Sequence, residues 1–269
     1  MKLVTKYEDR LTLYIDLLGF KQILNETEHK IEGDYVDNEE KIKALQEAYL
    51  KIYASLDTAT IKDKATNKKV TIFSDSIVVS MKPKRPNHLD YLLNSIRKMI
   101  IDLANIGILC RGAITYGKLI HTDLYVFGPA LVEAYLLESK SANYPRIILE
   151  YSILIKLTDL NDRINLRKTY LKKDLDGLYY LDYFDLFSET EEFDKVFNDD
   201  NLALEYLKNI KQLISDSLKK YNRYSHVDIR VKYVWMKEKI NTTISAMKKT
   251  NLNQDIVKHY NLNKPIISK

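Results

Sequence analysis

Residues 70–81 read VTIFSDSIVVSM, two β-rich arms around Ser74-Asp75-Ser76, and that turn chemistry predicts a tight hairpin with an acid at its tip. Upstream, residues 11–16 (LTLYID) form another apolar run that ends in an acid, and Gly19 interrupts the chain before a helical stretch. Between the two, Ile42, Leu45, Tyr49, Ile52 and Leu56 step by 3, 4, 3 and 4 residues, the spacing of one helix face. Residues 26–40 are polar and charged and read as a surface loop or insertion. Downstream, Leu92, Leu93, Ile96, Met99, Ile100 and Leu103 mark a second core-facing helix, closed by Asn105-Ile106-Gly107. Residues 108–114 and 119–127 then predict two strands joined through residues 115–118, and Gly128-Pro129 opens a further helix. Strand, helices, two strands, helix, two strands, helix is the order of an α+β sandwich rather than of an alternating α/β wound sheet.

After Pro145 the character changes. Residues 146–157 and 178–187 each predict a strand, with a Lys/Asp-rich stretch between them, and residues 201–220 and 227–248 predict long amphipathic helices. The expected organisation is a catalytic unit over residues 1–150 and, over residues 151–269, strands and helices packed on that core.

The 269 residues are 45% hydrophobic and 29% charged with 7 glycines and 5 prolines, which excludes a disordered or fibrous chain. Lys and Arg exceed Asp and Glu by 42 to 37, a net charge of +5 that decides nothing about a polyanionic partner. The one cysteine, Cys110, rules out an intramolecular disulfide and a cysteine-rich zinc site and points to a reducing compartment. Charges break every apolar stretch of the first 20 residues before a signal-peptide core forms, and no 18-residue apolar run follows, so a cytoplasmic protein without a membrane partner is expected.

Asp16 and Asp75 are the candidate chemistry, since each is a lone carboxylate beside an apolar strand, where burial is costly unless the acid is paired or bound to a cation. Two such acids suit hard-oxygen ligation of Mg²⁺ or Mn²⁺ beside substrate phosphates. A helix cap for Asp16 and an Asx-turn for Asp75 account for them equally well. Glycines 19, 107, 112, 117 and 128 each stand beside an expected strand end, as turns or as points of close approach. The five histidines are scattered, so a histidine metal site or Ser-His-Asp arrangement has no support, and His121 reads as structural. Lys140 and Arg146 read as a solvated basic face, and Trp235 as a packing residue.

Four segments in order, YIDLLGF (residues 14–20), IFSDSI (72–77), RGAITYG (111–117) and FGPALVEAYLLESKSANYPRI (127–147), resemble the catalytic domain of the class III nucleotidyl cyclases, most closely the pyrimidine cyclases of the Pycsar antiphage systems. The resemblance covers roughly residues 8–150 and implies a ferredoxin-like cyclase sandwich with a C-terminal helical extension. It implies two Mn²⁺ or Mg²⁺ ions per site held by Asp16, Asp75 and the Leu17 carbonyl, with Phe20 against the nucleotide. It further implies a homodimer with composite sites and a cyclic-nucleotide-responsive effector acting on the product, with no nucleic-acid partner. The Asn and Arg that many class III enzymes carry on the helix after the Gly-Pro turn are replaced by Val132 and Leu136, and Arg111 is the candidate to steady the phosphates instead. The positions that read a purine are Thr71 and Tyr125, hydroxyls in place of charges, which favours UTP or CTP as substrate and cUMP or cCMP as product. The alternatives are a catalytically degenerate nucleotide-binding or scaffold protein, and a purine cyclase acting on ATP or GTP.

Overall fold

The computed structural model describes residues 4–31, 34–56, 66–83, 87–186, 200–248 and 254–267. The chain opens with β1 (Glu8–Leu18), in which Leu13, Ile15 and Leu17 are buried on one face while Tyr14 and Asp16 stand half-buried on the other. That two-residue alternation is the pleat of a strand with two covered but unequal faces. Gly19, at φ 76°, turns the chain into α1 (Phe20–Asn25). The polar stretch expected as a loop is instead a small exposed hairpin, β2 (Glu28–Ile31) with β3 (Asp34–Asp37). Asn38 then caps α2 (Glu39–Ser55) by accepting from the Lys41 amide.

The decisive hairpin is β4 (Lys69–Phe73) and β5 (Ser76–Met81), with Phe73 paired to Ser76 so that only Ser74 and Asp75 make the turn. Ser74 takes a left-handed φ of 53°, and its carbonyl accepts from the Tyr49 hydroxyl of α2 at 2.7 Å. After α3 (Asn87–Asn105) the chain enters β6 (Leu109–His121). β6 is one continuous strand of 13 residues and not the two expected, because residues 115–118, expected as the joint, pair with β1 without a break, Gly117 opposite Arg10. The short β7 (Val126–Phe127) folds back on its end, and α4 (Pro129–Ser141) follows Gly128.

The sheet order is β4-β5-β1-β6, every neighbour antiparallel, which with the intervening helices is the ferredoxin-like arrangement. The sheet continues through β8 (Ile147–Leu149), parallel to β6, then β10 (Tyr179–Leu181) and β9 (Leu171–Lys173). Residues 146–157 are therefore not one strand: only three residues pair, and α5 (Tyr151–Leu157) and α6 (Leu160–Thr169) follow. The second expected strand is likewise confined to β10, with Phe187 outside the described residues.

α2 and α3 pack together under one sheet face, joined by the long α7 (Asp200–Lys220), α8 (Val227–Met247) and the short α9 (Gln254–His259). One hydrophobic cluster runs from Leu11 in β1 to Leu262. α4 covers the opposite face, over β1 and β6. Arg146 is fully buried, contrary to the expected solvated basic face. Its guanidinium bonds Asp174 at 2.5 Å, Asp176, and the Ser141 carbonyl at 3.0 Å. Asp174 accepts in turn from Trp235 and Lys239, both at 2.7 Å, and Trp235 stacks on Tyr144 at 5.4 Å, so the expected packing residue also supplies a hydrogen bond. Among the described residues no helix is long and apolar enough to cross a membrane.

Candidate functional site

The β1–β5 register sets Asp16 opposite Ser76, next to Asp75 at the hairpin tip, and the Leu17 amide donates to the Asp75 carbonyl at 2.9 Å. A strand residue's C=O points to the same side as its N–H, so the Leu17 carbonyl faces this tip as well. Asp16 is not a helix cap: α1 is preceded by Gly19 and has no side-chain cap. The Asp75 carboxylate accepts no hydrogen bond from the described residues, so it makes no Asx-turn either. Both alternatives drawn from turn and cap chemistry fall, and the register brings the two acids to the same end of the sheet.

On the other side of β1, Arg111 of β6 lies directly across from Asp16. Its Nε donates to Asp16 Oδ2 at 3.0 Å, while Glu138 Oε1 stands 2.7 Å from the same nitrogen. The terminal Nη1 and Nη2 have no protein partner among the described residues. Arg111 is thus anchored by its inner nitrogen with its outer fork free, the disposition in which a guanidinium meets phosphate oxygens.

Glu138 was not singled out by sequence. It lies on the buried stripe of α4 with Ala130 and Ala134, and the 4-residue spacing of that stripe is the signal that would have found it. Burial raises its pKa, Arg111 counteracts that, and the charge of Asp16 adds to it. The three acids converge, for the Tyr14 phenol is raised first by burial and then by Asp16, Glu138 and Asp75 together. Tyr14 Oη and Ser76 Oγ, 2.9 Å apart, close the side of the cluster.

Three carboxylates against one guanidinium leave excess negative charge, which a cation would neutralise. Among the described residues no group of three or more His, Cys, Asp or Glu side chains could hold a metal by itself. Asp16 and Asp75 instead make a two-carboxylate oxygen donor set, which fits a Mg²⁺ or Mn²⁺ ion whose remaining ligands are water and substrate phosphates.

Thr71 and Tyr125 belong to a separate cluster. Thr71 Oγ1 lies 2.9 Å from His121 Nε2, and His121 Nδ1 lies 2.7 Å from Ser80 Oγ, which accepts from Arg10 Nε at 2.8 Å. Burial first, and then Arg10 and Lys69, push the His121 pKa down to about 4, so the ring is neutral at physiological pH. His121 pairs with Val126, the neighbour of Tyr125, whose ring packs on Phe127 at 5.8 Å. Thr71, on β4, thus meets the end of β6 through His121, Tyr125 stands at the β6–β7 hairpin, and neither is bonded to the acids. Phe20 is buried against Tyr49, at 6.5 Å, below the tip that carries Asp75. Cys110 is buried with its thiol pushed up to about 12, first by burial, and takes no nucleophilic part.

Val132 and Leu136, on the outer side of α4, are exposed, as are Leu124, Phe127 and Tyr135, an apolar face that no described residue covers. No family model matches the chain, and no curated protein matches it. Solved structures similar to it include the adenylyl cyclase CyaB from P. aeruginosa, aligned over 71% of this chain and 100% of that one at 11% identity and TM-score 0.48. The catalytic core of a rhodopsin-guanylyl cyclase with converted specificity aligns over 66% of this chain and 96% of its own at 15% identity and TM-score 0.43. An adenylate/guanylate cyclase/hydrolase from Silicibacter pomeroyi aligns over 66% and 96% at 14% identity and TM-score 0.42. TM-scores under 0.5 make these distant likenesses, and what the site can do follows from its own side chains.

Proposed function

We propose that this chain is a divalent-cation-dependent nucleotidyl cyclase that converts UTP or CTP to the 3′,5′-cyclic monophosphate and pyrophosphate. The observation that carries the reading is the Asp75 carboxylate, unspent in any hydrogen bond among the described residues, at the tip beside the end of β1 that carries Asp16. The sequence resemblance to the class III cyclases, closest to the Pycsar enzymes, supplies the reaction class.

Asp16, Asp75 and the Leu17 carbonyl would hold the ions, two per site in the family resembled. Bound there, divalent cations would lower the pKa of the ribose 3′-hydroxyl and offset phosphate charge. The chain itself contributes no nucleophile: the 3′-oxygen attacks the α-phosphorus and the bond to pyrophosphate breaks. Arg111, held at Nε, directs its free Nη groups at phosphate oxygens and stabilises charge that grows as pyrophosphate leaves. Thr71, held by His121, and Tyr125 present hydroxyls to a base edge, a pairing that suits pyrimidine carbonyls better than the charged readers of purine enzymes. Thr71 meets the end of β6 through His121 and Tyr125 stands at the β6–β7 hairpin, so a composite site in a homodimer would bring one chain's Thr71 and Tyr125 to its partner's acids. The exposed Leu124, Phe127, Val132, Tyr135 and Leu136 supply the apolar face for that dimer. The product would be a cytoplasmic second messenger read by a cyclic-nucleotide-responsive effector in antiphage defence.

A second reading, a cyclase-like nucleotide-binding or scaffold protein without turnover, is favoured by one observation: the helix positions Val132 and Leu136 are apolar and exposed. Incubating the protein with ATP, GTP, CTP and UTP separately, with Mn²⁺, and resolving products by mass spectrometry decides between them. A cyclic pyrimidine monophosphate that falls at least 100-fold (~2.7 kcal/mol) in both Asp16→Ala and Asp75→Ala is expected. A cyclic purine product would reassign the substrate. Metal-dependent nucleotide binding with no product would establish the scaffold.

A further inference from the structure

Arg111 Nε carries one proton and has two carboxylates within reach. The proton goes to Asp16 Oδ2, with hydrogen-bond geometry at 3.0 Å. Glu138 Oε1 is closer, at 2.7 Å, yet accepts no hydrogen bond and is buried, with the Glu138 side chain 2% exposed. A buried acceptor left unsatisfied beside a donor is costly unless another arrangement of the same groups uses it. The helix that carries Glu138 is held in place: Ala130 and Ala134 on its stripe are buried against the sheet, and the Thr115 hydroxyl bonds the Ala130 carbonyl at 2.8 Å, pinning α4 to β6. The guanidinium, 28% exposed, is the group with freedom to shift.

Asp16 faces competing demands in the proposed enzyme. The guanidinium occupies one of its oxygens, and a divalent ion entering there is repelled by the same positive charge. We infer that Glu138 is a positioning residue that serves as a second seat for Arg111: the guanidinium rests on Asp16 while the cation site is empty and passes to Glu138 Oε1 when a divalent cation takes Asp16. The inference rests on the assignment of Asp16 as a cation ligand, and it deepens that assignment. It gives Arg111 two successive tasks, neutralising Asp16 before loading and, anchored on Glu138, presenting its Nη groups to the phosphates afterwards.

The test is Mn²⁺ binding without nucleotide, followed by calorimetric titration and by the shift in melting temperature, on the wild type, Glu138→Gln, Arg111→Ala and the double variant. Without the charged seat the guanidinium stays on Asp16, so Glu138→Gln should bind Mn²⁺ about 10-fold more weakly, the loss typical of groups that act on a metal through its ligands. Arg111→Ala, with no guanidinium to displace, should bind several-fold more tightly than the wild type. In that background Glu138→Gln should change affinity less than 2-fold, because there is nothing left to seat. Equal affinities of wild type and Glu138→Gln, the same loss in both backgrounds, or no Mn²⁺ binding by the wild type would each overturn the inference. Equal loss in both backgrounds would make Glu138 a direct ligand. If Glu138→Gln fails to fold, the Arg111→Ala arm decides, weaker or unchanged binding being the refuting result. Turnover is read separately: this binding pattern with no cyclic product from any of the four triphosphates would refute the cyclase and leave the seat standing.

Discussion

His121 shows how one side chain's surroundings set its chemistry. It is 6% exposed and wedged between Thr71 and Ser80, with Arg10 behind Ser80 and Lys69 close by, so a positive charge on the ring is opposed by burial and by both cations. Its pKa falls from 6.5 to about 4, and the folded state therefore binds the proton less readily than the unfolded chain. Stability from this group is intact above pH 6.5 and is lost as pH falls from 6.5 toward 4, by about 2–3 kcal/mol. Urea midpoints of the wild type should drop between pH 7 and pH 4.5, and in His121→Gln the drop should be smaller by about that amount. An unchanged drop in the variant would show that His121 is protonated in the fold. The residue that sequence left as structural is thus the support of Thr71, one of the two base-reading candidates.

At the scale of elements, the site depends on how closely β6 approaches its neighbours. Gly112 sits between β1 and β8, and a Cβ there would lie 2.3 Å from the Tyr14 carbonyl oxygen and 2.8 Å from Ile147 Cδ1. Neither neighbour is free to give, since one is backbone within a paired strand and the other a buried core side chain. Gly112→Ala should destabilise the fold by about 2–3 kcal/mol, the usual range for overpacking, and should shift the denaturant midpoint without changing the slope. Because Arg111 is the adjacent residue, the variant should also lose the proposed cyclisation at temperatures where it is still folded. Gly128 is constrained likewise: with φ 147°, its missing Cβ leaves room for the Lys118 carbonyl, 2.6 Å away, and so sets where α4 begins. The position of Glu138 over Arg111 follows from where that helix starts.

Over the whole molecule, the C-terminal half is joined to the first by a buried ionic clasp as well as by the shared hydrophobic cluster. Asp174 is the hub, bonded to Arg146 behind β8 and to Trp235 and Lys239 on α8. Burial opposes its ionisation, but the hydrogen bonds from Lys239 and Trp235 prevail and hold its pKa below the ordinary value. Its contribution is therefore present at neutral pH and lost only as pH falls through that lowered pKa. Asp174→Ala leaves the fully buried Arg146 with Asp176 as its one carboxylate partner and should cost about 3–5 kcal/mol, measured as a loss in unfolding free energy. Asp174→Ala combined with Arg146→Met should recover much of that loss, because the burial of an unpaired charge is then removed.

The α+β architecture, the β4–β5 hairpin, the α2, α3, α7 and α8 helices and the two acids were all legible in sequence, because each rests on local periodicity or turn chemistry. Asp16 and Asp75 stand out since an acid in or directly beside an apolar strand violates that pattern within a window of a few residues. Where the local signal was ambiguous the reading failed: Gly117 suggested a turn inside what is one strand, and residues 146–157 suggested a strand where only β8 pairs and α5 follows. Only the tertiary structure decided that Arg146 is buried, that His121 holds Thr71, and that Glu138 stands at Arg111. Arg111 and Asp16 are 95 residues apart in the chain, and their meeting is set by strand register. Local pattern reports which face of its own element a side chain takes, whereas the partner on that face is chosen by how distant elements pack, and charges in this protein acquire their roles from those partners.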